Sequence, residues 1–119
     1  MPTIYKPKKK CKIKTDKEKI RRQIYNSKLW QNLRVCYLQA HPLSEISEWE
    51  GKTALAEHVH HIISFLDVPK ELIQQYAYDP NNLISVTQEE HNRLHNGDLR
   101  GCTTKEEIRD KVLGLMKNK

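Results

Sequence analysis

His58-Val59-His60-His61, then Asn82-Leu83, then His91-Asn92-Arg93-Leu94-His95: residues 58–95 hold five of the six histidines of this 119-residue chain. Two histidines four positions apart stand on one face of a helix, so His91 and His95 can share a cation. The adjacent pair His60-His61 can supply a third metal ligand and a free base beside it. Hydrolysis of a phosphodiester needs that combination. The stretch reads as strand, strand, helix. The Val/Ile-rich end of residues 54–63 suggests the first strand, and Leu83-Ile84-Ser85-Val86 the second. Thr87-Gln88-Glu89-Glu90 has the form of a capping box, so a helix carrying His91 and His95 starts at Thr87, with Gly97 just past its end.

Outward from this centre the pattern is helical. Thr15-Asp16-Lys17-Glu18 is a second capping-box match, followed by Ile20 and Ile24 on one face, which predicts a helix from about residue 16. Asn26-Ser27 interrupts it. Ser27 can cap a second helix with the stripe Trp30, Leu33, Arg34, Tyr37 and Leu38, ending before Pro42 and leaving Cys36 off the stripe. Trp30 reads as a core anchor and His41 as structural. Residues 42–53 read as a turn or knuckle closed by Gly51. Residues 68–78 carry Val68, Leu72, Ile73 and Tyr76 behind Pro69, a short amphipathic helix, and Asp79-Pro80-Asn81 makes a turn. Thr104-Lys105-Glu106-Glu107 opens a C-terminal helix with Ile108, Val112, Leu115 and Met116 inward.

Length and composition allow one domain, residues 16–119, behind a basic flexible arm at 1–15, with the strand–strand–helix core at about 54–97. No apolar run approaches the ~18 residues of a membrane span, and no signal peptide is readable, so a cytoplasmic setting is expected. Cys11, Cys36 and Cys102 are odd in number, and none forms a C-x-x-C, so neither a disulfide framework nor a cysteine zinc site is indicated. The net charge of +6 is unevenly placed: residues 1–22 hold ten Lys/Arg and two acids, while the remainder holds eleven bases and thirteen acids. Lys8, Lys9, Lys10, Lys12, Arg21 and Arg22 therefore read as contacts to a nucleic-acid backbone. A solubilising tail is the bland alternative for the lysine run. Arg93 and Arg100 could contact phosphate, although a solvated arginine is the commoner outcome.

The order His60-His61, Asn82-Leu83, His91-x-x-x-His95 resembles the HNH endonuclease family, and the three histidines look especially like the site of colicin-type DNases. The wider frame is similar to small phage and bacterial HNH proteins through Trp30…Arg34…Leu38, His41-Pro42-Leu43, Ala56-Glu57-His58-Val59-His60-His61-Ile62 and Asp79-Pro80-Asn81-Asn82-Leu83. The likeness spans roughly residues 25–97. It implies an α+β fold, a ββα-metal (His-Me) finger embedded in a mainly helical small domain with flanking N- and C-terminal helices. Where those relatives carry two C-x-x-C pairs for structural zinc, this chain has Ser44-x-x-Ser47 and Thr87-x-x-Glu90, so no structural zinc is expected. The Thr87/Glu90 capping box would fix the helix start instead, with Leu43, Ile46, Trp49 and Val86 packing the knuckle.

By the same resemblance His60, His91 and His95 bind one divalent cation (Zn, Ni, Mn, Co or Mg), His61 is the general base, and Asn82 hydrogen-bonds the far side of His61 to orient it. The implied substrate is double-stranded DNA, cut to a 5′-phosphate and a 3′-hydroxyl, with no membrane or small-molecule cofactor involved. His58 and Arg93 are auxiliary candidates, with His58 expected to be exposed. Neighbouring strand residues face opposite ways, so His60 and His61 reach one phosphate only if the strand bends or the phosphate sits between them. The alternative is a non-catalytic DNA-binding or phage packaging accessory protein that keeps the finger as scaffold. Salt-dependent DNA binding without metal-dependent nicking would distinguish it.

Overall fold

The computed structural model describes residues 16–117, and the arm lysines Lys8, Lys9, Lys10 and Lys12, with Thr15 of the first capping box, lie outside the described residues. The elements run α1 (Asp16–Asn26), α2 (Lys28–Ala40), α3 (Glu45–Trp49), β1 (His58–His61), α4 (Ile73–Ala77), β2 (Leu83–Val86), α5 (Gln88–Asn96) and α6 (Lys105–Lys117). Single 3₁₀ turns at Lys70–Leu72 and Pro80–Asn82 lead into α4 and β2. No helix among the described residues is long and apolar enough to cross a membrane.

β1 and β2 form an antiparallel pair in which His58 faces Val86, Val59 faces Ser85, His60 faces Ile84 and His61 faces Leu83. All four residues of β2 are buried. The reason is that both its faces are covered. Ile84 and Val86 join Ile46, Leu94, Leu99, Ile108 and Val112, while Leu83 packs on the other side with Trp30 and Tyr37. A further cluster, Ile24, Phe65 and Ala77, fixes α1 to the long β1–β2 connection. Truncating a side chain such as Ile84 to alanine would cost about 2–5 kcal/mol.

Sequence signals set most helix ends. Ser27 caps α2, its hydroxyl accepting from the Trp30 N–H at 3.1 Å and donating to the Ile24 carbonyl at 2.7 Å. This turns the chain sharply between α1 and α2. At α5 both halves of the Thr87/Glu90 capping box are present. Gly97 follows α5, but its φ of −110° is ordinary. Glycine is needed there for room, since a Cβ would lie 2.8 Å from the Arg93 Cα. Gly51 does take a left-handed conformation (φ 79°) and closes the knuckle.

Several expectations change. The knuckle contains a helical turn, α3, because Ser44 caps it by accepting from the Ser47 N–H at 3.1 Å. The first strand is four residues long; upstream of it only Leu43 and Leu55 form an isolated bridge, which also leaves Leu43 outside the packed knuckle core. At α6, Glu107 accepts from the Thr103 N–H (2.6 Å), one residue before the expected cap, while Thr104 accepts from the Glu107 N–H. Ile108 and Val112 are buried and Leu115 packs against the same cluster as expected, but Met116 is 39% exposed.

Candidate active site

Strand and helix register bring three distant histidines together. His60 projects from β1 toward α5, and His91 and His95 stand one turn apart on α5. One nitrogen from each lies within 4.8 Å of the others. The rings meet edge to face, with centroids 5.1 Å (His60–His91), 4.9 Å (His60–His95) and 4.5 Å (His91–His95) apart. His91 Nε2 and His95 Nε2 are separated by 3.2 Å. Nitrogens ~2.1 Å from one shared cation at a near-tetrahedral angle would themselves lie ~3.2–3.4 Å apart, so this donor set fits a small divalent ion. Burial, reinforced by His91, His95 and His61, holds His60 down at about 3, and burial with His95 and His58 lowers His91. Crowded imidazoles resist protons and offer lone pairs.

His61 faces the other side of the strand, as alternation requires. Its ring stacks on Trp30 (4.6 Å between centroids, 27° between planes) and meets the edge of Phe65 at 5.0 Å. His61 Nε2 lies 2.9 Å from the Ala77 carbonyl oxygen. A carbonyl only accepts, so Nε2 carries the hydrogen and Nδ1 is left as a lone-pair acceptor. Burial lowers the pKa of His61 although the Ala77 contact works against it. His60 and His61 nonetheless line one cleft of about 380 Å³, which also takes in Arg21, Tyr25, Asp67, His91 and His95. The cleft wraps around the end of β1, where the chain leaves the sheet at Ile62.

The expected bond from Asn82 to His61 is not made. Asn82 is buried, and its amide nitrogen donates to the Ile63 carbonyl (2.9 Å) and the Tyr76 carbonyl (3.0 Å), while its Oδ1 accepts from the Ile63 N–H (2.8 Å). Both amide hydrogens are used. Asn82 therefore ties the segment after His61 to the end of α4, which holds the Ala77 carbonyl against the imidazole. Its influence on His61 runs through backbone.

The auxiliary candidates divide. His58 is half-buried, not exposed: its Nε2–H donates to Gln88 Oε1 at 2.6 Å and its ring stacks on His91 at 5.2 Å. Arg93 is spent elsewhere. Its guanidinium donates to Asp98 (2.9 Å) and Glu50 (3.1 Å) on a face lined by Ser47, Lys52 and Glu90, away from the histidine cleft. Arg21 lines the cleft, whereas Arg22 sits beside Lys19 and Asn26 on another face of α1. His41 is exposed and stacks on Tyr37 at 4.5 Å. Trp30 and the Ala77 carbonyl were not foreseen as partners of His61. The Trp30…His61 spacing carries no local signal for the stack, which depends on how α2 crosses the sheet.

No protein-family model matches the chain, and no curated protein does. Among solved structures it is similar to the HNH endonuclease of the deep-sea thermophilic bacteriophage GVE2, whose crystal structure contains a manganese ion. The TM-score is 0.60 at 28% identity, over 82% of this chain and 97% of that one. Among the described residues, two antiparallel strands followed by a histidine-bearing helix, with five further helices around them, match the α+β fold of HNH endonucleases. That match agrees with the resemblance to HNH endonucleases carried by the order His-His, Asn-Leu, His-x-x-x-His.

Proposed function

We propose that this protein is a metal-dependent endonuclease that hydrolyses phosphodiester bonds of double-stranded DNA, leaving 5′-phosphate and 3′-hydroxyl ends. One observation carries the reading: three histidine nitrogens meet within 4.8 Å on the wall of a cleft that also takes in His61, which lies outside that trio. His60, His91 and His95 would hold one divalent ion. Three neutral imidazoles suit Zn, Ni, Co or Mn better than Mg, and the manganese in the GVE2 enzyme supports a metal of that group. Such an ion, when bound, supplies charge neutralisation at phosphoryl oxygens.

The chain's own residues do the rest. His61 Nδ1 accepts a proton from the attacking water, because Nε2–H is committed to Ala77. Its lowered pKa keeps the ring neutral, and therefore basic, at neutral pH. Trp30 and Phe65 restrict the ring on two sides, and Asn82 fixes the backbone that orients it. Arg21 at the cleft wall contacts backbone phosphate, with Arg22, Lys8, Lys9, Lys10 and Lys12 adding charge along the duplex.

The test is nicking of supercoiled plasmid across a panel of divalent metals, with EDTA as control. Metal-dependent, EDTA-sensitive nicking is expected. Salt-dependent DNA binding with no nicking in any metal would instead establish the accessory-protein reading.

A further inference from the structure

Ser44, Ser47, Thr87 and Glu90, which the resemblance sets at paired-cysteine positions, converge around one carboxylate. Glu90 is buried. The Ser44 hydroxyl donates to its Oε1, the Ser47 hydroxyl donates to its Oε2, and the Thr87 N–H donates to Oε1 at 3.0 Å. Ser47 and Glu90 are 43 residues apart in sequence, so these bonds join the knuckle to the start of α5. Among the described residues the carboxylate is answered by hydroxyl and amide donors. The nearby Arg93 is turned to Glu50 and Asp98.

We propose that Glu90 is a positioning residue for the metal site: its carboxylate clamps α5 to α3 and so sets where His91 and His95 stand relative to His60. The proposal rests on reading those three histidines as metal ligands. Its force comes from how little of α5 is buried, the other ties of the helix (Gln88 to Glu57 and His58, Arg93 to Glu50) lying on its more exposed side. Of the nine residues of that helix only Glu90 and Leu94 are buried. Leu94 packs in the apolar core, and packing is non-directional, so it fixes the distance of the helix from the sheet better than its rotation. Three directional bonds to a carboxylate fix rotation and register. His91 is the next residue in sequence, and His95 is one turn further, so any turn of the helix about its axis moves both nitrogens together away from His60. The hydroxyl–carboxylate clamp thus does for helix placement what four thiolates on zinc would do.

The test is Mn²⁺ titration by calorimetry on the full chain, without DNA, beside kcat and KM for plasmid. Glu90→Ala, folded by circular dichroism, is expected to bind Mn²⁺ about 10- to 100-fold more weakly, the scale seen when groups supporting metal ligands are lost. Its kcat should fall while KM for DNA barely moves, and Ser44→Ala with Ser47→Ala should follow in the same direction. A second arm replaces Ser44, Ser47, Thr87 and Glu90 together by cysteine and adds one equivalent of Zn²⁺, with thiol protection reporting occupancy. Mn²⁺ affinity should return to within about 3-fold of wild type with zinc and stay weak without it. Wild-type Mn²⁺ affinity in folded Glu90→Ala would overturn the proposal. If that variant does not fold, a zinc-loaded four-cysteine protein that folds yet binds Mn²⁺ no better than its zinc-free form would overturn it. Wild type that binds no divalent metal would instead sink the three-histidine site on which the proposal stands. Wild type that binds metal but leaves plasmid intact would remove only the nuclease reading.

Discussion

The imidazole of His61 lies flat against the indole of Trp30, with ring centroids 4.6 Å apart and planes 27° from parallel. The helix that begins at Ser27 thus reaches the end of β1 and limits how the ring can turn about its bond to the backbone. The Ala77 carbonyl limits it from a second direction. The edge contact with Phe65 adds a third restraint, so the direction of Nδ1 is fixed, as the proposed base role requires.

Trp30 should therefore matter twice. Trp30→Ala is expected to cost about 3–5 kcal/mol, the range for emptying a buried aromatic site. Trp30→Phe keeps an aromatic face and should lose less stability, while lowering kcat several-fold with metal affinity unchanged. Denaturation curves and Mn²⁺ titrations on both variants check this. Equal kcat for Trp30→Phe and wild type would show that the stack is packing only.

Asn82→Ala removes three hydrogen bonds from a buried site and leaves the Ile63 N–H and two carbonyls to find other partners. A loss of about 1–3 kcal/mol is expected, together with a fall in kcat, because the backbone behind Ala77 loosens. Mn²⁺ binding should stay near wild type, since no ligand depends on that amide. A drop in metal affinity as large as the drop in kcat would contradict this division.

Acid should weaken the metal-free fold. His60, His61 and His91 all titrate lower in the folded protein than in the unfolded chain, His60 at about 3. The unfolded state therefore binds more protons between the ordinary imidazole value, ~6.5, and about 3, so stability is full above that window and is lost as pH falls through it. Glu45 acts in the same direction at the acid end. Burial alone would raise it, but Tyr37, the Ser85 N–H and Lys105 outweigh burial and hold it below the usual carboxylate range. Thermal melts in EDTA from about pH 7.5 down to about pH 4 should show Tm falling by several degrees. A flat or rising Tm would count against the buried neutral histidines.

Arg93→Ala should leave DNA affinity nearly unchanged and lower stability modestly, because its guanidinium bridges Glu50 and Asp98, not phosphate. Arg21→Ala should weaken DNA binding and flatten its salt dependence. Fluorescence anisotropy with duplex DNA over a salt series separates the two. The reverse ranking would mean that the duplex approaches from the α3 side.

Features written in local sequence were the ones read from it. Ser27 and Thr87 announce helix starts by side-chain chemistry acting over three residues, and the four-residue spacing of His91 and His95 fixes a shared face. Those parts of the fold and the histidine cluster appear where the sequence puts them. Features that depend on how separated elements cross were not readable. The resemblance pairs Asn82 with His61, yet the turn at Pro80–Asn82 aims its amide at the Ile63 and Tyr76 backbone. Arg93 reads as a free cation on a helix until the loop after Gly97 brings Asp98 beneath it. The absence of C-x-x-C pairs is plain in the sequence, but the link from the Glu90 carboxylate to Ser44 and Ser47 appears only when α3 meets α5.

The most direct measurement is the single-turnover nicking rate of His61→Ala on supercoiled plasmid at saturating Mn²⁺, with occupancy confirmed by titration. The account predicts wild-type metal binding and a nicking rate at least about a thousandfold lower, within the usual contribution of a general base. Cleavage at the wild-type rate by the metal-loaded variant would contradict it.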